Sequence, residues 1–408
     1  MRLLGACSLG GAGHFNPLVP LLQAARRRGD EVLVVGPPAL REMVERAGFP
    51  FWAGDEPSER EVAAIRERLS VAPAAEASVL GNRELFGRMA TSAMLAEMER
   101  AFADWRPDLV LREPCEYASA IVAARTGVPV AQVAISLAEA EAGSIAAAGP
   151  ELERYRGGLS AELRSSPYLT RFPASLDPSP FERTVRFRES NGSPGFLPDW
   201  WAGSDAPLIY ASFGTVLGYM SIAADVYRMV LAAVKDTQAR VLLTVGRRFE
   251  PAMLGSVPAH VHVEAWIDQV EVLRHADAVV CHGGSGTALG ALAAGVPLVV
   301  VPLFADQFEN ARRIAATGAG LVVENATEST RGSWRPIDAR AAPHVADSIE
   351  AVLGDASYRR RARSIAAEMA ASPAADEVLV HLLSRFRRSV ASKSALSPTC
   401  RGARPTVS

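Results

Sequence analysis

The chain has 408 residues, is 49% hydrophobic, and sets 43 basic against 45 acidic side chains for a formal charge of -2. That length holds two domains able to bury separate cores, and the balanced charge excludes a general field for nucleic acid or an anionic membrane, so phosphate recognition is expected to be local. Cys7, Cys115, Cys281 and Cys400 lie far apart without a CxxC pair, which argues against a disulfide scaffold or zinc cluster and fits a reducing cytoplasm.

In chain order, Arg2-Leu3-Leu4-Gly5-Ala6-Cys7 reads as a buried strand, since the apolar stretch before Cys7 is too short for a secretory signal. A glycine-rich turn, a helix to about Arg28 and the strand Glu31-Val32-Leu33-Val34-Val35 complete a βαβ unit. The turn Gly10-Gly11-Ala12-Gly13-His14-Phe15-Asn16-Pro17 places His14 at a helix start facing the crevice between domains. A neutral imidazole there can take a proton from an attacking hydroxyl. A helix N-terminus disfavours imidazolium, so such a base wants a carboxylate partner. Glu113 and Glu116, just past the strand Asp108-Leu109-Val110-Leu111, are the candidates. Between these segments, Leu85 to Met98 sets Phe86, Met89, Met94 and Met98 among small residues, either lining an apolar cleft or forming a helical core stripe.

The alanine-rich helix around Ala118 to Thr126 and the strand Pro129 to Val133 extend a doubly wound first domain, assigned to residues 1–190. A Pro-, Ser- and Gly-rich stretch provides a linker at 191–206. A second Rossmann-like domain, 207–384, follows with strands at Leu208 to Phe213, Val241 to Val245, Val261 to Val263, Ala278 to Cys281 and Leu298 to Val301. The apolar run Leu289 to Ala305 is broken by Gly290, Gly295, Pro297 and Pro302, so it reads as helix, turn and strand, and no integral membrane segment is expected. The basic tail 385–408 reads as a disordered, solvated terminus.

The most specific segment is Cys281-His282-Gly283-Gly284-Ser285-Gly286-Thr287, which leaves a buried strand and opens a helix. Backbone N–H groups without intrahelical partners make that an anion seat, to which His282 and the hydroxyls of Ser285 and Thr287 add donors. The alternative is a glycine turn with a capping histidine. Asp306 and Gln307 follow the strand ending at Pro302-Leu303, where ligands of open α/β sheets bind; they suit sugar hydroxyls and equally suit a helix N-cap. Trp266, within Trp266-Ile267-Asp268-Gln269, offers either a stacking face for a nucleobase or a core packing residue. The partial fingerprint Gly11-Ala12-Gly13 lacks its third glycine, and no acidic residue closes the next strand, which disfavours hydride transfer. No Asp-x-Asp pair occurs to hold a divalent ion, so a metal-independent mechanism is expected, with charge neutralised by His282, a helix N-terminus and hydroxyls.

In order, Gly13-His14-Phe15-Asn16-Pro17-Leu18, Tyr210-Ala211-Ser212-Phe213-Gly214-Thr215, Trp266-Ile267-Asp268-Gln269, His282 to Thr287 and Ala305-Asp306-Gln307 make the chain resemble the GT-B glycosyltransferases of family one. The likeness is strongest to actinobacterial enzymes that decorate polyketides and other natural products. It spans nearly the whole chain and implies two Rossmann-like domains facing each other across a cleft. It also implies inverting transfer of a hexose or deoxyhexose from a dTDP- or UDP-sugar to a hydroxyl of a small apolar acceptor. The nucleotide sugar is then a co-substrate, with no further cofactor. By resemblance, His14 is the base, paired with Glu113 or alternatively Glu116 where many relatives carry aspartate. Ser212 and Thr215 add phosphate contacts, Trp266 and Gln269 take base and ribose, and His282 with Gly284, Ser285, Gly286 and Thr287 holds the diphosphate. Asp306 and Gln307 hold the donor sugar. Phe15, Phe86 and Met89 are the acceptor-side candidates. A homodimer is compatible with this reading. The competing readings are a nucleotide-sugar epimerase, which needs no acceptor pocket, and a catalytically silent transferase-like partner, against which intact His14, Asp306 and Gln307 argue.

Overall fold

Short buried β-rich runs alternating with amphipathic helices build two parallel sheets in a computed structural model, which describes residues 1–189, 204–323 and 339–395. The first sheet contains β1 (Arg2–Ala6), β2 (Glu31–Gly36), β3 (Phe51–Ala53), β4 (Leu109–Arg112), β5 (Val130–Val133), β6 (Tyr168–Thr170) and β7 (Thr184–Arg186), in the order β3-β2-β1-β4-β5-β6-β7. The second contains β8 (Leu208–Ser212), β9 (Arg240–Thr244), β10 (Val261–Glu264), β11 (Ala278–Cys281), β12 (Leu298–Val300) and β13 (Gly320–Val322), in the order β10-β9-β8-β11-β12-β13. Each order reverses once, between β1 and β4 and between β8 and β11. Such switch points splay the loops at the strands' C-terminal ends and open a crevice there.

Register aligns the two switch points with the chemistry. Ala6 pairs with Arg112 at the ends of β1 and β4, so the loops bearing His14 and Glu113 leave side by side. Ser212 pairs with Cys281 at the ends of β8 and β11, which brings the loops of Ser212 and His282 together. Apolar residues on both faces of each sheet, such as Leu3, Leu4, Val34 and Val35 in the first and Val279, Val280, Val299 and Val300 in the second, are almost wholly buried. Leu137, Phe172 and Leu176 of the first domain pack into a core of the second and hold the pair together.

Two expectations change. The expected helix to Arg28 is broken into a turn, Ala12–Phe15, and a helix, Val19–Arg27, because Pro17 lacks the N–H that would continue the ladder. The basic stretch from Arg385 is not wholly a disordered tail: the helix Ala375–Ala395 runs through it. Ala375, Val378, Leu379, Leu382 and Leu383, at helical spacing, bury against Leu21, Leu22 and other residues of the first domain. Each large aliphatic side chain buried this way contributes about 1.5–3 kcal/mol before entropy costs. This helix, which follows the second domain in the chain, thus packs on the first. The expected linker lies largely, and residues 396–408 of the tail wholly, outside the described residues. No helix among the described residues is long and apolar enough to cross a membrane.

Candidate active site

His14 sits in the turn after β1 with 20% of its side chain exposed, and its Nδ1 lies 3.1 Å from Oε1 of Glu113, which is fully buried. The separation is that of a hydrogen bond, while the N–H direction lies off the line to the oxygen, so the contact is close but bent. Glu113 is fixed as an ion. The Ser8 N–H at 2.9 Å and the Ser8 hydroxyl donate to Oε1, and the Cys115 N–H donates to Oε2 at 2.6 Å. Burial pushes this carboxyl up, but His14 and the Ser8 donors outweigh burial and hold it at about 2. Burial pulls His14 down, and the Glu113 charge and contact, with a smaller push from Asp306, leave it above the ordinary histidine value. With Nδ1 turned to Glu113, Nε2 is the nitrogen left for a substrate hydroxyl. Phe86 stacks on this imidazole with centroids 6.3 Å apart and planes at 27°.

Glu116 is not the partner. Its carboxylate accepts the Ser119 N–H at 2.9 Å and the Ser119 hydroxyl, at the start of the helix Ala118–Thr126. The buried Arg112 guanidinium steadies the loop between the two glutamates by donating to the backbone carbonyls of Pro114 and Glu116 and, at 3.0 Å, to Gln132 Oε1.

Across the cleft, the helix Ser285–Ala293 begins at Gly284 with no side-chain cap, so the N–H groups of its first turn are left for a ligand. Gly283 occupies the left-handed region at φ 86°, and a Cβ there would come 2.9 Å from Val300. A Cβ at Gly284 would collide with His282 Nε2. Burial pushes the His282 imidazole down to about 4, the Ser212 backbone only partly opposing it, so this ring is neutral. A neutral imidazole, first-turn N–H groups and the Ser285 hydroxyl, buried without a protein partner, together make an uncharged seat for an anion.

Between the domains runs a cleft of about 1690 Å³. His14 and Phe86 line one wall; Ser212, Thr215, Trp266 and Gln269 line the other. His282, Gly284, Ser285, Gly286, Thr287, Asp306 and Gln307 complete that second wall. Trp266 is 55% exposed, which rules out the core reading, and the Arg247 guanidinium lies 4.9 Å from its ring. Gln269 donates weakly to the Gly286 carbonyl at 3.4 Å. Phe15 and Met89 do not reach the cleft. Phe15 is 1% exposed beneath the His14 turn, against Phe49, and Met89 is 5% exposed on the inner face of its helix. Met94 and Met98 are buried too, so that stretch is a core stripe with Phe86 alone of the four at the cleft.

Comparison with known proteins identifies the family. Models of the erythromycin biosynthesis protein CIII-like N-terminal and C-terminal domains match residues 23–209 and 228–384. Elloramycin glycosyltransferase ElmGT of Streptomyces olivaceus is 34% identical, over 88% of this chain and 96% of that protein. The chain belongs to this family of natural-product glycosyltransferases. L-demethylnoviosyl transferase of Streptomyces niveus is 33% identical over 91% of the chain and 95% of that protein. Among solved structures, the spinosyn rhamnosyltransferase SpnG complexed with thymidine diphosphate superposes with a TM-score of 0.76 at 25% identity, covering 94% of this chain and 100% of that one. The glycosyltransferase SnogD from Streptomyces nogalater gives 0.74 at 27% identity, covering 94% and 99%. The protein is thus a glycosyltransferase with the GT-B fold.

Three features of the transferase site escape sequence reasoning. Gln307 Oε1 accepts the N–H groups of Leu303 and Phe304 at 2.9 and 3.0 Å, so its carbonyl is engaged in shaping the loop after β12. Asp306 makes no cap bond to its helix, Gln307–Thr317; instead its Oδ2 accepts from Ser136 Oγ at 2.6 Å and from Asn310 Nδ2 at 3.2 Å. Ala305 just before it holds φ 56°, a left-handed conformation that costs a non-glycine residue energy and aims the carboxylate at the cleft. Asn310 lies four residues beyond Asp306, a helical spacing that was visible in the sequence. Ser136 has no such signal.

Proposed function

We propose that this transferase moves a hexose or deoxyhexose from a dTDP- or UDP-sugar to a hydroxyl of a small hydrophobic natural-product aglycone, inverting the anomeric centre without a metal. One observation carries the reading: the His14–Glu113 pair and the open helix start at Ser285 face one cleft from opposite domains. His14 Nε2 takes the proton of the acceptor hydroxyl as its oxygen attacks the anomeric carbon from the first-domain side. The bond from that carbon to the diphosphate oxygen breaks, and its electron pair leaves with the nucleoside diphosphate. The developing charge meets the first-turn N–H groups and the neutral His282 rather than a cation. Attack and departure on opposite sides give inversion.

Relatives support the substrate classes. SpnG has been solved with thymidine diphosphate and with spinosyn aglycone, and the transferase SsfS6 from Streptomyces sp. SF2575 with thymidine diphosphate. Exposed Trp266 supplies a face for either pyrimidine, Asp306 lies where the sugar would meet a carboxylate, and Phe86 beside His14 gives the acceptor an aromatic wall.

The test is a mass-spectrometric assay of the purified protein with thymidine and uridine diphosphate sugars against mixed polyketide and aromatic acceptors, with chelator throughout. The expected result is a sugar-mass adduct, of inverted configuration by NMR of the isolated product, whose formation His14→Ala slows at least about a hundred-fold. Conversion of donor without an adduct would make the protein an epimerase; donor binding without turnover would make it a silent partner. Activity lost to chelator would overturn metal independence.

A further inference from the structure

The donor-sugar reading of Asp306, on which this inference rests, leaves open what orients its carboxylate. Asp306 has no cap bond to its own helix, yet two side chains hold one oxygen: Asn310 from the same helix and Ser136 from the opposite domain. Both donate to Oδ2, and among the described residues no hydrogen bond reaches Oδ1. The carboxylate is therefore fixed by one oxygen with the other left for a ligand.

Ser136 is itself held firmly. It follows β5, and its N–H and that of Ile135 both donate to Glu141 Oε1 at 2.7 Å. Tyr168 donates to Oε2 of the same glutamate, which is 2% exposed. A few residues on, the Ala138 N–H donates to both carboxylate oxygens of Asp177 at 3.1 Å. The Ser136 hydroxyl is thus presented from a rigid corner of the first domain and makes a charge-assisted hydrogen bond across the cleft.

We propose that Ser136 is a positioning residue of the donor-sugar site, supplied by the acceptor-binding domain: with Asn310 it holds Asp306 Oδ2 so that Oδ1 meets a sugar hydroxyl. Recognition of the sugar, as distinct from the nucleotide, is then complete only while the two domains are together. A second cross-domain pair, Arg313 Nη2 to Glu139 Oε2 at 2.9 Å, lies on the same helix and joins the domains without touching Asp306. It separates orientation of the carboxylate from simple docking.

The experiment uses the full-length protein and a nucleotide sugar that the wild type turns over, with the matching sugar-free nucleoside diphosphate as the second probe. Ser136→Ala is expected to raise donor KM roughly ten-fold, the scale of one hydrogen bond to a charged group. The Kd for the sugar-free nucleoside diphosphate and the acceptor KM should stay unchanged. Ser136→Thr, which keeps the hydroxyl, should restore donor KM, and Glu139→Gln should leave it at the wild-type value. The proposal is overturned by an unchanged donor KM in Ser136→Ala, by an equal weakening of the sugar-free nucleoside diphosphate, or by the same loss in Glu139→Gln. A wild type that transfers no sugar from any donor overturns the function itself, and this assignment with it; that outcome is read before any variant is made.

Discussion

The two switch points of this transferase share a topology and differ in their charges. At the first, a carboxylate held at about 2 lies 3.1 Å from an imidazole raised above its ordinary value. At the second, an imidazole pushed down to about 4 sits among glycines and open N–H groups, with burial as the main influence on it. A carboxylate beside an imidazole is suited to moving a proton, because the carboxylate stabilises the imidazolium that forms. An uncharged nest is suited to receiving an anion that arrives and departs, because it holds no fixed counter-charge that would trap the product. In the proposed mechanism the same sheet order serves opposite halves of one reaction, and the loop residues decide which.

Breaking the first half should have the largest effect. His14→Ala is expected to lower kcat about a hundred- to ten-thousand-fold while donor Kd holds, as measured by steady-state kinetics beside calorimetry. Glu113→Gln should cost about ten- to a hundred-fold and carry a pH signature. The base works when neutral, so activity rises as pH climbs through the His14 pKa; without the Glu113 charge that pKa falls, and the acidic limb of the kcat profile should move to lower pH. A limb that stays in place would dissolve the pair.

On the anion side, Gly284→Ala drives a methyl into His282 and should raise donor KM at least about ten-fold with kcat less affected. Trp266→Ala should weaken donor binding roughly five- to a hundred-fold, the loss of one base–aromatic stack, without shifting Tm, because the ring is more than half exposed. The smallest effect sharpens the contrast. In the His14→Ala protein, an intact sugar donor, whose diphosphate diester does not titrate near neutrality, should bind with a pH-independent Kd from about pH 5.5 to 7, since His282 stays neutral throughout and Glu141, pushed up to about 8, stays protonated. A Kd that tightens on acidification in that range would mean that His282 takes up charge.

Most strands of both sheets were legible as buried runs, and the anion seat was legible because a strand, two glycines and a helix start lie within seven residues. The choice between Glu113 and Glu116 was not: both follow one strand, and only the path of the loop, pinned by Arg112, points one at His14 and the other at Ser119. Phe15 and Met89 failed because their side chains point inward where neighbours His14 and Phe86 point outward. Ser136 was invisible because its partner lies 170 residues away in another domain. The helix Ala375–Ala395 was obscured by basic residues that outweigh, in composition, an apolar stripe set by a partner surface from the other end of the chain.

That last helix has a consequence for motion. The chain passes from the first sheet to the second between Arg186 and Leu208, and returns at Ser372 to Ala375 to pack on the domain where it began. A single tether would let one half swivel freely about a point. Two crossings join the halves at two places, which restricts the relative motions left to them more than one would. The constraint on how the two halves can part is therefore written into the covalent path of the backbone.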